Sequence, residues 1–245
     1  MCGRYSLTTP AEAMQRLFSF LGPLPNLPAR YNIAPTQMAP VVRARAAQPG
    51  TRELVSLRWG LVPFWAKDAT IGSRLINARA EGLAEKPSFR AAVRTRRCLV
   101  PADGFYEWQA AAKGKRPYRI GLAGGTPEAM PPFAFAGLYE RWTKAADGVP
   151  LETFTIVTTE ANALLRPIHE RMPVILPPAD HAAWLDPATP LEAAMALLRP
   201  YPAEAMLAYP ISTRVNSVRF DDAACIAPAA EAAPQPAGLF SSSGT

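Results

Sequence analysis

The sequence is poor in cysteine and in histidine. Its 245 residues hold 3 cysteines (Cys2, Cys98, Cys225) and 2 histidines (His169, His181). Three cysteines are too few for a disulfide framework, and without a CxxC pair they offer no zinc site. Such cysteine usage fits a reducing cytoplasm. No apolar run approaches the roughly 20 residues that a spanning helix needs. The start lacks the basic-then-apolar pattern of a secretory signal, so neither membrane nor export is expected. No internal repeat is present. Acidic residues are scarce in one half: residues 1–120 carry 19 Lys/Arg against 7 Asp/Glu, net +12, whereas 121–245 carry 7 against 13, net −6. A basic half beside an acidic one fits a polyanion partner, nucleic acid being the usual one. A solvated face of scattered arginines explains the same numbers.

What is present begins with Met1-Cys2-Gly3-Arg4. Removal of the initiator methionine before so small a residue leaves a cysteine with a free α-amine, a 1,2-aminothiol. Its amine attacks aldehydes to give an imine, and its sulfur then closes a five-membered thiazolidine. Neither group needs a large shift, since an α-amine titrates near about 7.7–8 and a free thiol near about 8.5. Arg4 is placed to favour the thiolate or to hold a phosphate. The competing reading is a cysteine on a frayed chain end.

Helix signals are sparse. Thr9-Pro10-Ala11-Glu12 reads as a capping box, with Ala13, Leu17, Phe18 and Leu21 at helical spacing and Gly22 as the stop. Residues 23–38 read as an ordered proline-rich loop. Strands are expected over Val41-Val42, Leu54–Arg58, Arg97–Pro101, Gly104–Trp108, Tyr118–Leu122, Phe133–Leu138, Phe154–Thr158, Val174–Leu176 and Ala205–Tyr209. The turns between them centre on Pro49-Gly50, Lys113-Gly114-Lys115, Gly124-Gly125 and Asp147-Gly148. Short helices are expected near Pro87, over Ala161–Leu165 behind Thr159, over Pro178–Leu185, and after a second capping box at Thr189–Glu192. Many short strands with few helices predict an α+β fold with a mainly antiparallel, barrel-like core. From Pro228 the Ala/Pro/Ser-rich composition predicts a disordered tail, giving one domain over 2–227 and a tail over 228–245.

Several side chains admit two readings. Trp59 reads as core. Phe64 and Trp65 adjoin a turn-like stretch and either pack inward or stack on a base. Asn77 and Arg79 offer hydrogen-bonding groups. Glu107, between Tyr106 and Trp108, is either a carboxyl with a raised pKa suited to proton transfer or a paired structural group. His169 is either structural or an acid–base group. Cys98 reads as an inert core thiol, and His181 as structural.

Met-Cys-Gly-Arg-Tyr at the start is followed by Tyr31-Asn32-Ile33-Ala34-Pro35-Thr36, Arg58-Trp59-Gly60-Leu61-Val62-Pro63 and Asn77-Ala78-Arg79-Ala80-Glu81. Arg97-Cys98-Leu99-Val100-Pro101, Gly104-Phe105-Tyr106-Glu107-Trp108 and His169-Glu170-Arg171-Met172-Pro173 come after them. In that order the motifs resemble the SRAP family, the SOS-response-associated peptidase or abasic-site-processing proteins, from residue 2 to about 227. The resemblance implies a single SRAP domain that binds single-stranded DNA and single-strand/duplex junctions. It implies a covalent crosslink to abasic sites through the N-terminal cysteine. It places the nucleophile on Cys2 and assigns catalytic roles to Asn77, Glu107 and His169. DNA contacts fall on Arg4, Arg79 and Arg171, and the wedge aromatic on Trp65. It implies no metal or organic cofactor, a monomer, and a cytoplasmic location on DNA. Two other functions stay in competition: a cysteine peptidase or thiol hydrolase, which needs a base and an oxyanion hole, and a DNA-binding module without chemistry.

Overall fold

The computed structural model describes residues 2–144 and 148–229. Met1, Asp147 of the expected Asp147-Gly148 turn, and residues 230–245 of the expected tail lie outside the described residues. In chain order the elements are β1 (Tyr5–Leu7), α1 (Ala11–Phe18), β2 (Arg30–Ile33), β3 (Met38–Ala44), β4 (Arg52–Trp59), β5 (Asn77–Arg79), α2 (Ala92–Thr95), β6 (Arg97–Ala102) and β7 (Gly104–Ala110). They continue with β8 (Lys115–Leu122), β9 (Phe133–Trp142), β10 (Leu151–Glu160), β11 (Arg171–Pro173), β12 (Ile175–Leu176), α3 (His181–Leu185), α4 (Leu191–Ala196) and β13 (Met206–Pro210).

Five of these strands close on themselves. β4 pairs with β3, β3 with β6, β6 with β9, β9 with β10, and β10 returns to β4. Only the β10–β4 contact in this ring is parallel, so the barrel-like, mainly antiparallel α+β architecture expected from the sequence is the one observed. β5, β11 and β12 extend the ring, and β13-β8-β7-β1-β2 form a separate five-stranded antiparallel sheet. Aromatic rings knit the two sheets. Tyr5 of β1 meets Trp59 of β4 at 5.2 Å and Phe135 of β9 at 5.9 Å, both edge-on. Edge-to-face pairs of this kind add to the burial of large apolar area.

β4 and β5 lie end to end along β10: Phe154 faces Trp59, and two residues on Ile156 faces Asn77. The chain between them leaves and returns as a closed-neck loop, pinned where Leu61 N–H donates to Leu75 O at 3.1 Å. The neck demands glycine. Gly60 has φ +121, and a Cβ there would come within 2.6 Å of Gly72 O. This excursion carries Phe64 and Trp65 outward.

The local departures from expectation share a cause: a tertiary partner outbids the local one. Thr9 does not cap α1, because its N–H (3.1 Å) and hydroxyl (3.3 Å) both donate to Asp103 instead. The helix stops at Ser19 in the left-handed region (φ 52), before Gly22, and Met14 is buried while Leu21 is exposed. Arg30–Ile33 is an edge strand inside the expected loop. Thr159 is buried in β10, and the turn after it is capped by Asn162 Oδ1, which accepts from Leu165 N–H at 3.0 Å. α4 likewise lacks a side-chain cap from Thr189. At the other end Pro228 bridges to Ile211 and Ala229 N–H donates to Pro210 O at 2.9 Å, so the first two residues of the expected tail are tied to the end of β13.

Asp103 anchors the start of the chain. Its carboxylate accepts from Ser6 Oγ (2.7 Å), Thr8 N–H and the Thr8 hydroxyl (2.8 Å), and it pairs with the buried guanidinium of Arg119 at 3.1 Å. Gly104 makes room for that guanidinium, since a Cβ there would lie 2.6 Å from Arg119 Nε. Asp103→Ala leaves a buried cation and several donors unmatched. The expected cost is about 3–5 kcal/mol, read as a lower denaturant midpoint; an unchanged midpoint would show that the network is dispensable.

Candidate active site

β1 runs antiparallel to β7, with Tyr5 opposite Phe105 and Ser6 opposite Gly104. The alignment continues past the strand, because Tyr106 N–H donates to Arg4 O at 3.1 Å. The first residues therefore travel along β7 toward Glu107. Cys2 is fully buried, and burial pushes its thiol up, with the Glu107 carboxylate adding to the effect. This overturns the expectation that Arg4 favours the thiolate. The Arg4 guanidinium is engaged elsewhere, donating to Asn32 Oδ1 at 2.9 Å and to Val215 O at 2.8 Å.

Glu107 is 2 % exposed. Burial raises its pKa above the ordinary carboxylate range, and the charges of His169 and Lys115 pull it only part of the way back. Its aromatic neighbours in sequence are themselves fixed. Tyr106 Oη donates to Tyr31 O at 2.5 Å, and Trp108 Nε1–H donates to Asn216 Oδ1 at 2.7 Å. His169 follows a tight turn in which its N–H donates to Leu165 O at 2.9 Å. Its Nδ1 accepts from Arg171 N–H at 3.0 Å, which puts the proton of the neutral ring on Nε2. Glu107, Trp108, Lys115, His169 and Asn216 together line a cavity of about 360 Å³. Cys2, Glu107 and His169 thus converge from the chain start, β7 and the loop before β11.

Asn77 opens β5 on the barrel sheet. Its Nδ2–H donates to Ile76 O at 3.1 Å, the carbonyl that also receives Trp59 Nε1–H at 2.9 Å, and Trp59 touches Tyr5. Asn77 Oδ1 is buried with no hydrogen-bond partner among the described residues. A buried amide oxygen left open is costly unless a ligand meets it.

The cationic residues divide. Arg79 is exposed on β5, opposite Thr158. Arg171, opposite Glu160 on the other flank of β10, is held by Glu81: its two terminal nitrogens donate to the carboxylate at 2.6 and 3.0 Å. That contact lowers the pKa of Glu81. Trp65 is not with the cavity group. It stands 41 % exposed on the closed-neck loop beside Phe64 at 51 %, with Arg90 and Pro87 lining the groove between them.

Lys115 and Asn216 escaped the sequence reading. Lys115 stood out only as part of a turn. Asn216 reaches the cavity through contacts with Trp108 and with Arg4, whose terminal nitrogen donates to its backbone carbonyl at 3.4 Å, and no local pattern announces such long-range contacts. Among the described residues, His, Cys, Asp and Glu form no cluster able to hold a metal ion, and no helix is long and apolar enough to cross a membrane.

A closed, mainly antiparallel barrel joined to a five-stranded sheet, with a buried thiol beside a buried carboxyl, defines a class of α+β domains. Within that class the chain belongs to the SRAP family: the family model described as SOS response associated peptidase (SRAP) matches residues 1–218. It is 44% identical over 221 residues to the abasic site processing protein YoqW of Bacillus subtilis, covering 89% of this chain and 95% of that one. It is 36% identical over 223 residues to the abasic site processing protein HMCES of Gallus gallus, covering 81% and 66% respectively. A crystal structure of a Bacteroides thetaiotaomicron protein superposes with a TM-score of 0.82 at 29% identity, covering 94% of this chain and 100% of that one.

Proposed function

We propose that this protein processes abasic sites in single-stranded DNA and at single-strand/duplex junctions by forming a covalent thiazolidine with the sugar. The observation that carries the reading is the buried Glu107 carboxyl, which acts on the Cys2 thiol and shares one cavity with His169. The names of the relatives support the substrate.

The chemistry follows from the protonation states. With Met1 removed, the Cys2 amine adds to the C1′ aldehyde of the open-chain abasic sugar and forms a C–N bond. His169 Nε2–H stands ready to assist ring opening at the sugar oxygen. Glu107, its pKa raised by burial, donates the proton of its acid form to the carbinolamine hydroxyl, which leaves as water, and the protonated imine forms. The resulting carboxylate takes the Cys2 thiol proton, sulfur bonds to C1′, and the C=N electron pair passes to nitrogen, leaving a neutral ring N–H. The net change is loss of one water. Asn77 Oδ1 offers its open acceptor to a sugar hydroxyl. Where ring closure fails, the imine leaves the sugar open to β-elimination, so a weak strand-cleaving side activity accompanies the main one.

A peptidase needs the thiolate first, and a thiol pushed up by burial is a poor one. An aldehyde lets the amine act first, and the sulfur enters last as a thiol whose proton has a receiver. The test is incubation with abasic single-stranded DNA and with a peptide, followed by a denaturing gel and intact mass. A stable DNA adduct smaller by one water than the sum of its parts supports the reading. Peptide cleavage without adduct refutes it.

Binding to undamaged single-stranded DNA is expected to be electrostatic, given the +12 charge of residues 1–120. Its affinity should fall steeply with salt as counterions are released. Arg79→Ala should lower it irrespective of base sequence and reduce the salt slope by about one contact. Salt-independent binding would refute this part of the reading. Arg4 and Arg171 are proposed as further phosphate contacts, Arg171 by exchanging Glu81 for phosphate. Trp65 is proposed as the aromatic that stacks on or wedges between bases.

A further inference from the structure

Among the described residues that line the cavity, Lys115 is the lysine, and no salt bridge or side-chain hydrogen bond holds its ammonium. It opens β8, lies exposed at the end of the β7–β8 hairpin, and lines the cavity with Glu107 and His169. Among the described residues no carboxylate lies within ion-pair distance of it. The hairpin end is fixed to the His169 loop, because Gln109 Nε2–H donates to Pro167 O at 3.0 Å. The backbone that carries Lys115 is therefore tied to the loop that carries His169. Across the cavity, Trp108 has taken the oxygen of the Asn216 amide, which leaves its NH₂ group as a donor. A cavity that shows a ligand an ammonium and an amide NH₂ is built for an anion.

We propose that Lys115, with the Asn216 amide as second donor, forms a subsite for one of the two phosphates flanking the sugar in the cavity. This rests on the abasic-site reading above and deepens it. The sugar is neutral, so the nearest anions on such a substrate are its two phosphodiesters. An ammonium is a compact point charge with three donors on a flexible stem, suited to a phosphate whose orientation varies. Arg79 stands exposed on β5 of the barrel sheet, and Lys115 lines the cavity from the open sheet. A strand passing from one to the other lays a sugar between Glu107 and His169. Lys115 would bind and place the strand, and Glu107 and His169 would move the protons.

The test uses three abasic single-stranded oligonucleotides: one all-phosphodiester, one with an uncharged methylphosphonate on the 5′ side of the abasic sugar, and one with it on the 3′ side. Wild type, Lys115→Ala and Lys115→Arg are each measured for equilibrium binding and for single-turnover adduct formation. Lys115→Ala should weaken binding of the phosphodiester substrate about tenfold, the loss of one charge-assisted contact, and Lys115→Arg should recover most of it. One methylphosphonate should cost the wild type the same factor and cost Lys115→Ala nothing further. Additive losses with both methylphosphonates, or wild-type binding by Lys115→Ala, would overturn the subsite. Absence of adduct from the wild type would instead overturn the crosslinking chemistry, while the binding comparison still decides the subsite.

Discussion

Cys2→Ala should abolish the heat-stable adduct with abasic DNA. With Met1 removed, this variant keeps an amine but has no sulfur to close the ring. It can form only an imine, captured by borohydride and otherwise reversible, and its strand cleavage should rise because the sugar stays open. Retaining Met1 makes the complementary change: the thiol remains and the amine of Cys2 is locked in a peptide bond. That form should also give no stable adduct. The pair separates an aminothiol mechanism from a thiolate one, which has no use for the amine. Cys98→Ala and Cys225→Ala supply the controls. Cys98 lies in the fully buried β6, and the Cys225 thiol donates to Phe220 O at 3.6 Å, well apart in role from the cavity. A heat-stable adduct from the Met1-retaining form, or from Cys2→Ala without reductant, would sink the thiazolidine.

The burial of Cys2 also sets the order of events. A thiol pushed up by desolvation and by Glu107 is not a ready nucleophile at neutral pH. Were sulfur required to attack first, the site would be badly tuned. If nitrogen attacks first, burial does no harm, because the imine carbon is already tethered to the same residue and the effective concentration of sulfur is high.

What the sequence revealed follows physical scale. Alternation and turn residues located most strands, because side-chain period and glycine or proline punctuation are local properties. β6 reads as an apolar run behind Arg97, and it is buried along its whole length. Caps were read poorly. The Thr9 box is a valid local signal, but Asp103 offers its groups a buried, charge-assisted alternative from 94 residues away. The candidate site divides in the same way. Cys2, Glu107 and His169 stood out by residue type and neighbours, whereas Lys115 and Asn216 owe their place to the β7–β8 hairpin and to the segment after β13. The Glu81 clamp on Arg171 was equally invisible, since it joins the turn after β5 to β11, and those two strands meet only across β10.

Glu107→Gln is expected to slow adduct formation by about 10²–10⁴-fold, the usual loss for one acid–base group. It should also make the protein more stable at neutral and alkaline pH. Both effects come from one cause. Burial raises the folded-state pKa of Glu107 above the unfolded value, so in the window between the two the folded state binds more protons. Stability contributed by this carboxyl is therefore fully present below the ordinary glutamate pKa and lost as pH rises through the folded one. Glutamine keeps the shape, carries no charge to desolvate, and removes that loss. Thermal midpoints of the wild type and Glu107→Gln should accordingly coincide most closely in acid and diverge in favour of the variant as pH rises. The wild-type rate should change with pH above the usual carboxylate range, and the variant should lack that limb. A variant that is slower because it is misfolded would show a lower midpoint, which distinguishes damage from chemistry. A wild-type rate in Glu107→Gln would remove Glu107 from the mechanism. A slow variant whose midpoint fell relative to the wild type as pH rose would show instead that the carboxylate is stabilised in the fold, as a paired structural group would be.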